Sequence, residues 1–161
     1  MNGSQVNNDL TEFQRSLPML LHRTMAAILP PFREIFGDHN LTDQQWRVLR
    51  ALWECAPLNV AELAEMTVLP APSLVGILDR LEARKLVERV RSEKDRRSVF
   101  VTATTDGRAL YTEVEPRIQA THEALRKCAT EAEWNALEEI LQKIATAEPA
   151  HIPDTSRDSA A

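Results

Sequence analysis

The sequence predicts a mainly α-helical protein with one small β-hairpin. Apolar residues recur at steps of three and four through most of the 161 residues, the period of a helix with one buried face. That period gives way to alternation in one place, LVERVRS and SVFVTAT on either side of a polar EKDR turn, which is a hairpin pattern. Three apolar stripes are each preceded by Thr or Asn with Glu or Gln three residues later, the spacing at which two side chains satisfy the free N–H groups of a helix start.

The elements follow in order. Residues 1–10 are polar and aperiodic, and a disordered N-terminus is expected there. The first helix spans about Leu10 to Phe36, with Leu17, Leu20, Leu21, Ala27 and Ile28 near helical spacing. Pro30 and Pro31 should kink or divide it, because proline removes a donor and clashes one turn back. Gly37 then offers a stop. Thr42 and Gln45 open a second helix whose stripe is Trp46, Leu49 and Trp53. Asn59 and Glu62 open a short third helix. In the fourth, APSLVGILDRLEARKLV, Pro72 suits a first turn. Leu74, Ile77, Leu78 and Leu81 face inward there, and Ser73, Gly76 and Arg80 outward. After the hairpin a long helix runs from about Thr105 to Lys127. Thr130 and Glu133 open a last one, with Trp134, Leu137, Leu141 and Ile144 on one face. The end, AEPAHIPDTSRDSAA, has the composition of a disordered tail.

Composition narrows the function. Asp and Glu number 24 against 19 Lys and Arg, for a net charge of −5, which argues against nonspecific coating of nucleic acid but permits a local basic patch. No apolar run reaches membrane-spanning length, and MNGSQVNNDLTEF is not a secretory signal. Cys55 and Cys128 form no CxxC pair, so a cytoplasmic protein with buried structural thiols is expected. His22, His39, His122 and His151 have no metal-binding spacing, and His122 with Glu123 does not make a metal site alone. No Gly-rich phosphate loop, nucleophile elbow or HExxH is present. Neither an enzyme nor a cofactor is expected.

Helix, short helix, amphipathic helix and hairpin, in that order, make a winged helix-turn-helix. In such a module the last helix enters the DNA major groove and the hairpin wing lies along the backbone or in the minor groove. The charge agrees. Residues 84–97 hold seven Lys or Arg and three acids, a local +4 in the acidic chain, and a hairpin tip presents cations to phosphate without burying them. Ser73, Gly76 and Arg80 are the candidates for base-edge contact. Gly76 either lets the helix approach DNA closely or accommodates internal packing. Arg84, Arg89, Arg91, Lys94, Arg96 and Arg97 are candidates for phosphate contact. Asp95 shapes the turn or holds a neighbouring arginine.

LTDQQWRVLRAL, LAEMTVLPAPSLVGILDRLEARKLVERV and KDRRSVFVTATTDGRAL resemble the MarR family of bacterial regulators. The family's wing pattern, D-x-R, a strand, then L-T-x-x-G, is met by Asp95, Arg97 and Thr104 to Gly107, with Ala103 where the pattern has Leu. The resemblance covers about residues 15–145. Within the family, HNLTDQQWR and PSLVGILDR are most similar to repressors of aromatic-acid catabolism, of the homoprotocatechuate-operon and hydroxynicotinate-pathway kinds. It implies an intertwined homodimer on a pseudo-palindromic double-stranded DNA operator. Residues 11–40 and 105–146 would form the dimerisation region and 41–104 the DNA-binding domain, between tails at 1–10 and 147–161. It also implies a small aromatic acid effector, bound between the dimerisation helices and the DNA-binding lobe. Candidates for holding it are His22, Arg23, Trp46, Arg47 and Arg50. Trp46 is equally a core residue, and Arg50 equally part of a solvated face or an internal ion pair. A regulator with no effector and a winged-helix protein-interaction module are the alternatives; the basic wing counts against the second.

Overall fold

The computed structural model describes residues 11–91 and 99–147. The elements run α1 (Glu12–Arg15), α2 (Leu17–Asp38), α3 (Asp43–Cys55), β1 (Leu58–Asn59), α4 (Val60–Thr67), α5 (Ala71–Ala83), β2 (Val87–Arg91), β3 (Val99–Ala103), α6 (Thr105–Arg126) and α7 (Glu131–Thr146). The expected disordered ends and the tip of the hairpin fall outside the described residues. Ala147, the exception, is the C-cap of α7. The chain divides after His122 into two compact units, and α7 lies in the second.

All three expected capping boxes close. Thr42 with Gln45, Asn59 with Glu62 and Thr130 with Glu133 each exchange reciprocal side chain to backbone bonds. A fourth, Thr11 with Gln14, opens α1. Each box satisfies N–H groups that a helix start leaves without partners.

The first helix departs from expectation. It breaks at Ser16 rather than at Pro30 and Pro31, which both lie inside α2. The carbonyls that these prolines leave without a donor belong to Ala26 and Ala27, both exposed, so water can serve them. Phe32, Ile35 and Phe36 are buried directly afterwards and anchor the same helix. Gly37 is not the stop. The left-handed residue is Asn40, at φ 53°, and the Leu41 N–H returns to the Phe36 carbonyl at 2.8 Å. Asparagine tolerates that conformation because its short side chain bonds locally.

The core of the first unit is one cluster. Leu49, Leu52, Leu63, Leu74, Leu78 and Leu81 bring α3, α4 and α5 together, and Val87, Val101 and Val114 close it from the sheet and α6. The sheet has three antiparallel strands in the order β1-β3-β2, with Leu58 opposite Val101 and Val87 opposite Ala103. The expected hairpin therefore gains a third strand. Two residues are too few to display a period. Cys55 and Cys128, expected to be buried, are both exposed; each sits at or just past the polar C-terminal end of a helix rather than on its apolar stripe. No single described helix is long and apolar enough to cross a membrane.

A tight joint connects α5, the hairpin and α6. Helix α5 ends at Ala83, and Lys85 turns the chain at φ 59°. The Thr104 hydroxyl donates to the Lys85 carbonyl at 2.6 Å and accepts the Gly107 N–H at 3.1 Å, capping α6. Thr104 N–H donates to the Leu86 carbonyl at 3.1 Å. A Cβ on Gly107 would stand 2.1 Å from that same carbonyl oxygen. The T-x-x-G of the wing motif is thus structural: threonine ties the turn and glycine gives it room. Gly107→Ala should cost at least ~2 kcal/mol, a typical penalty for forcing an atom into a packed site. Thermal unfolding followed by circular dichroism would show the lowered midpoint, and an unchanged midpoint would contradict the close approach.

Candidate nucleic-acid interface

Helices α4 and α5 are bent relative to each other by 106°, inside the range of about 90–120° for helix-turn-helix pairs. The turn is built by three residues. Val68 caps α4 in the left-handed region at φ 53° and ψ 42°, an uncommon conformation for a β-branched residue. Leu69 is buried and returns its N–H to Ala64 at 3.1 Å. Pro70 then starts α5. The stripe Leu74, Ile77, Leu78 and Leu81 is buried, so the opposite face of α5 is left to solvent.

That face holds the three expected residues and more. Ser73 and Arg80 are exposed and Gly76 is half-buried. Pro72, Val75 and Asp79, which sequence reasoning passed over, are also exposed. By helical geometry Pro72, Gly76 and Asp79 point most directly away from the buried stripe. A Cβ on Gly76 would meet only the tip of Arg80, at 3.6 Å, so internal packing does not require glycine there. Arg80 lies back along the helix, its Nε donating to the Gly76 carbonyl at 2.9 Å.

The basic residues divide into two groups. Arg84 and Arg89 are engaged inside the molecule. Arg84 donates to the carbonyls of Asn40 at 2.6 Å and His39 at 3.0 Å, capping the negative end of α2. Arg89 pairs with Asp79 at 2.7 Å and with Glu82, so β2 neutralises two acids of α5. The bond to Asp79 and then the charge of Glu82 raise the Arg89 pKa against the opposing effect of burial. Arg91 is exposed and has no partner among the described residues. Lys94, Asp95, Arg96 and Arg97 lie outside the described residues.

The five candidates for an effector site are not gathered in one place. His22 and Arg23 are exposed on α2. Trp46 is a core residue, stacked 5.3 Å from Phe36. Arg47 pairs with Asp43 at 2.7 Å and donates to the Thr67 carbonyl at 3.1 Å, capping α4. Arg50 meets Glu54 at 2.6 Å and both oxygens of Glu115 at 3.0 Å. Burial opposes its charge, but Glu54 and Glu115 hold its pKa raised.

Around Arg50 stands an aromatic cluster that the sequence did not reveal. Tyr111 of α6 stacks 6.2 Å from Trp46 and lies tilted 4.1 Å from Trp53, and the Arg50 guanidinium sits 5.8 Å from the Tyr111 ring. Burial, and then a bond to Glu115, push the Tyr111 hydroxyl pKa up. Trp53 Nε1 is buried with no hydrogen-bond partner among the described residues. Tyr111 is the chain's single tyrosine and lies 65 positions after Trp46. No local pattern could join them.

A bent helix pair with an open second helix, followed by a hairpin, defines a winged helix-turn-helix protein of the DNA-binding class. Residues 39–98 match the MarR family. The regulator FarR of Neisseria gonorrhoeae is 33% identical over 135 residues, 84% of this chain and 92% of its own. The homoprotocatechuate degradative operon repressor of Escherichia coli is 33% identical over 128 residues, 80% of this chain and 86% of its own. Three solved structures are similar. BpsR of Bordetella bronchiseptica, whose DNA binding is regulated by 6-hydroxynicotinic acid, has a TM-score of 0.78 at 29% identity, covering 86% of this chain and 99% of its own. NadR in complex with 4-hydroxyphenylacetate has 0.74 at 32%, covering 88% and 100%. The repressor CouR bound to a 23-mer DNA duplex has 0.76 at 30%, covering 86% and 99%. The chain belongs to the MarR family of transcriptional regulators.

Arg89→Ala should expose DNA to two unneutralised acids, Asp79 and Glu82. Duplex binding should fall about tenfold, equivalent to ~1.4 kcal/mol, and Asp79→Asn in the same chain should restore part of it. Anisotropy titrations of the single and double variants would measure this. A double variant as weak as Arg89→Ala would instead make Arg89 a direct phosphate contact.

Proposed function

We propose that this protein is a homodimeric transcriptional repressor that binds a pseudo-palindromic operator and is released by a small hydroxylated aromatic acid. The DNA-binding half rests on the observation that α5 is held at 106° to α4 with its Pro72 to Arg80 face open. In this reading Ser73 and Gly76 face base edges, and Arg80, bonded back onto the Gly76 carbonyl, flanks them. Arg91, Lys94, Arg96 and Arg97 reach phosphate, with Asp95 shaping the tip. Arg84 and Arg89 act one step back, as supports of α5. Residues 41–104 form the DNA-binding domain and 11–40 with 105–146 the dimerisation region.

Exposed apolar residues support the dimer. Leu17, Leu20, Leu21 and Met25 lie on α2, and Leu137, Ile140, Leu141 and Ile144 on α7. An open apolar cleft of about 370 Å³ runs along Trp134, Leu137, Leu141 and Ala145. Exposed stripes of that length mark interaction surfaces, and a two-fold axis would set the recognition helices about 34 Å apart, one DNA turn.

The effector half rests on Arg50 among Trp46, Trp53 and Tyr111. A guanidinium beside aromatic faces suits an aromatic carboxylate, which would take the place of Glu115 or Glu54 on Arg50. Trp53 Nε1 supplies a donor for a ring substituent. That 6-hydroxynicotinic acid and 4-hydroxyphenylacetate serve BpsR and NadR is consistent with such a ligand. His22 and Arg23, exposed on α2, are further candidates for holding the ligand.

The test is anisotropy on the DNA upstream of the protein's own gene, with hydroxylated benzoates, phenylacetates, cinnamates and nicotinates added singly. One compound should release the DNA, and Arg50→Ala, which loses both the ligand's partner and the tie to Glu115, should bind DNA more weakly and show no further response to that compound. Operator binding unaffected by every acid would remove the effector half. A second expectation concerns the wing. Arg97→Ala should weaken binding to all duplexes and lower the slope of log affinity against log salt by about one; an unchanged slope would place Arg97 away from phosphate.

A further inference from the structure

Resting on the DNA-binding reading, we infer that the head of α5 recognises thymine through its 5-methyl group, with Val75 and Pro72 as the contacting residues. The surface there is apolar. Pro72 is exposed, and Val75 keeps 46% of its surface in solvent on the side of α5 away from the core. Val68, in the turn just before, is 83% exposed. The polar groups that read other bases are withdrawn. Guanine is read by an outstretched arginine or lysine, but Arg80 is bonded back onto the Gly76 carbonyl. Cytosine offers an amino donor that needs an acceptor, and Asp79, the acid on this face, is held by Arg89. What remains in the first two turns is apolar surface and the Ser73 hydroxyl. An apolar patch gains from a methyl group and leaves a cytosine amino group without a partner. Gly76 lies between Pro72 and Asp79, and only the flexible tip of Arg80, at 3.6 Å, stands where a side chain would be, so the helix backbone can close on the groove and bring Val75 into contact.

The experiment uses the full chain and synthetic duplexes. The bound sequence is first enriched from a random pool, and each thymine of one half-site is then replaced by uracil. That change deletes one methyl and leaves pairing intact. At one or two positions per half-site the dissociation constant should rise about fourfold, the equivalent of ~0.8 kcal/mol for one buried methyl. Val75→Ala should lose that sensitivity at one position, whereas Val75→Thr, which keeps a methyl and the same shape, should retain it. Equal affinity with uracil at every thymine would overturn the inference, as would a Val75→Ala protein with undiminished uracil sensitivity. Failure to enrich any sequence would instead overturn the DNA-binding reading beneath it.

Discussion

The contact on which the rest of the structure depends is the one between the Leu86 carbonyl and Gly107. It occupies the joint where α5 gives way to β2, and it leaves no room for a side chain. Thr104 bonds to the carbonyls of Lys85 and Leu86 from the same side. The direction of α5 is therefore set at its C-terminal end by the start of α6, and at its other end by the turn that Leu69 buries. Neither tie involves a long flexible side chain. A helix that must present Pro72 to Arg80 to a groove cannot pivot if its two ends are fixed by backbone.

Arginine does a second job in this molecule. Arg47 caps α4 and Arg84 caps α2, each placing a guanidinium on carbonyls at a helix end. Arg89 neutralises Asp79 and Glu82. A cation near a helix C-terminus is favourable and loses less to solvent when it is partly buried. The basic stretch from 84 to 97 therefore mixes internal supports with candidates for phosphate contact, and charge counting alone cannot separate them. Their effects on binding differ in kind. A lost phosphate contact changes salt dependence, and a lost support changes where α5 points.

The order of the elements was legible because each is signalled locally. Capping boxes at Thr42, Asn59 and Thr130, the stripe of α5 and the alternation of the hairpin all lie within a few residues of what they specify. Misreadings arose where a distant partner decides. Pro30 and Pro31 read as a kink or a division, and the division does not occur because burial of Phe32, Ile35 and Phe36 carries α2 through them. Strand β1 exists only because β3 lies beside it. Arg84 is exposed as expected, but no local pattern shows its bonds to carbonyls 44 and 45 residues away. The candidate site was half legible for the same reason. The outward face of α5 follows from periodicity, whereas the cluster around Arg50 depends on Tyr111 and Glu115 arriving from α6.

Helix α3 joins the two halves of the proposed function. Arg47 and Arg50 are three residues apart, on neighbouring positions of one face. The first holds the end of α4, the opening helix of the DNA-binding pair. The second holds Glu115 of α6, the helix whose first turn fixes the end of α5. A carboxylate ligand that displaced Glu115 from Arg50 would cut the ionic tie between α3 and α6 while leaving the Arg47 tie intact. The two ends of α5 would then answer to two helices that are no longer bonded through Arg50. A ligand shifts such an equilibrium only by the difference in its affinity for the two arrangements. The strength of the Arg50–Glu115 pair, in which one guanidinium nitrogen meets both carboxylate oxygens and most of each side chain is withdrawn from solvent, would then set how much of such a ligand's binding energy reached the DNA.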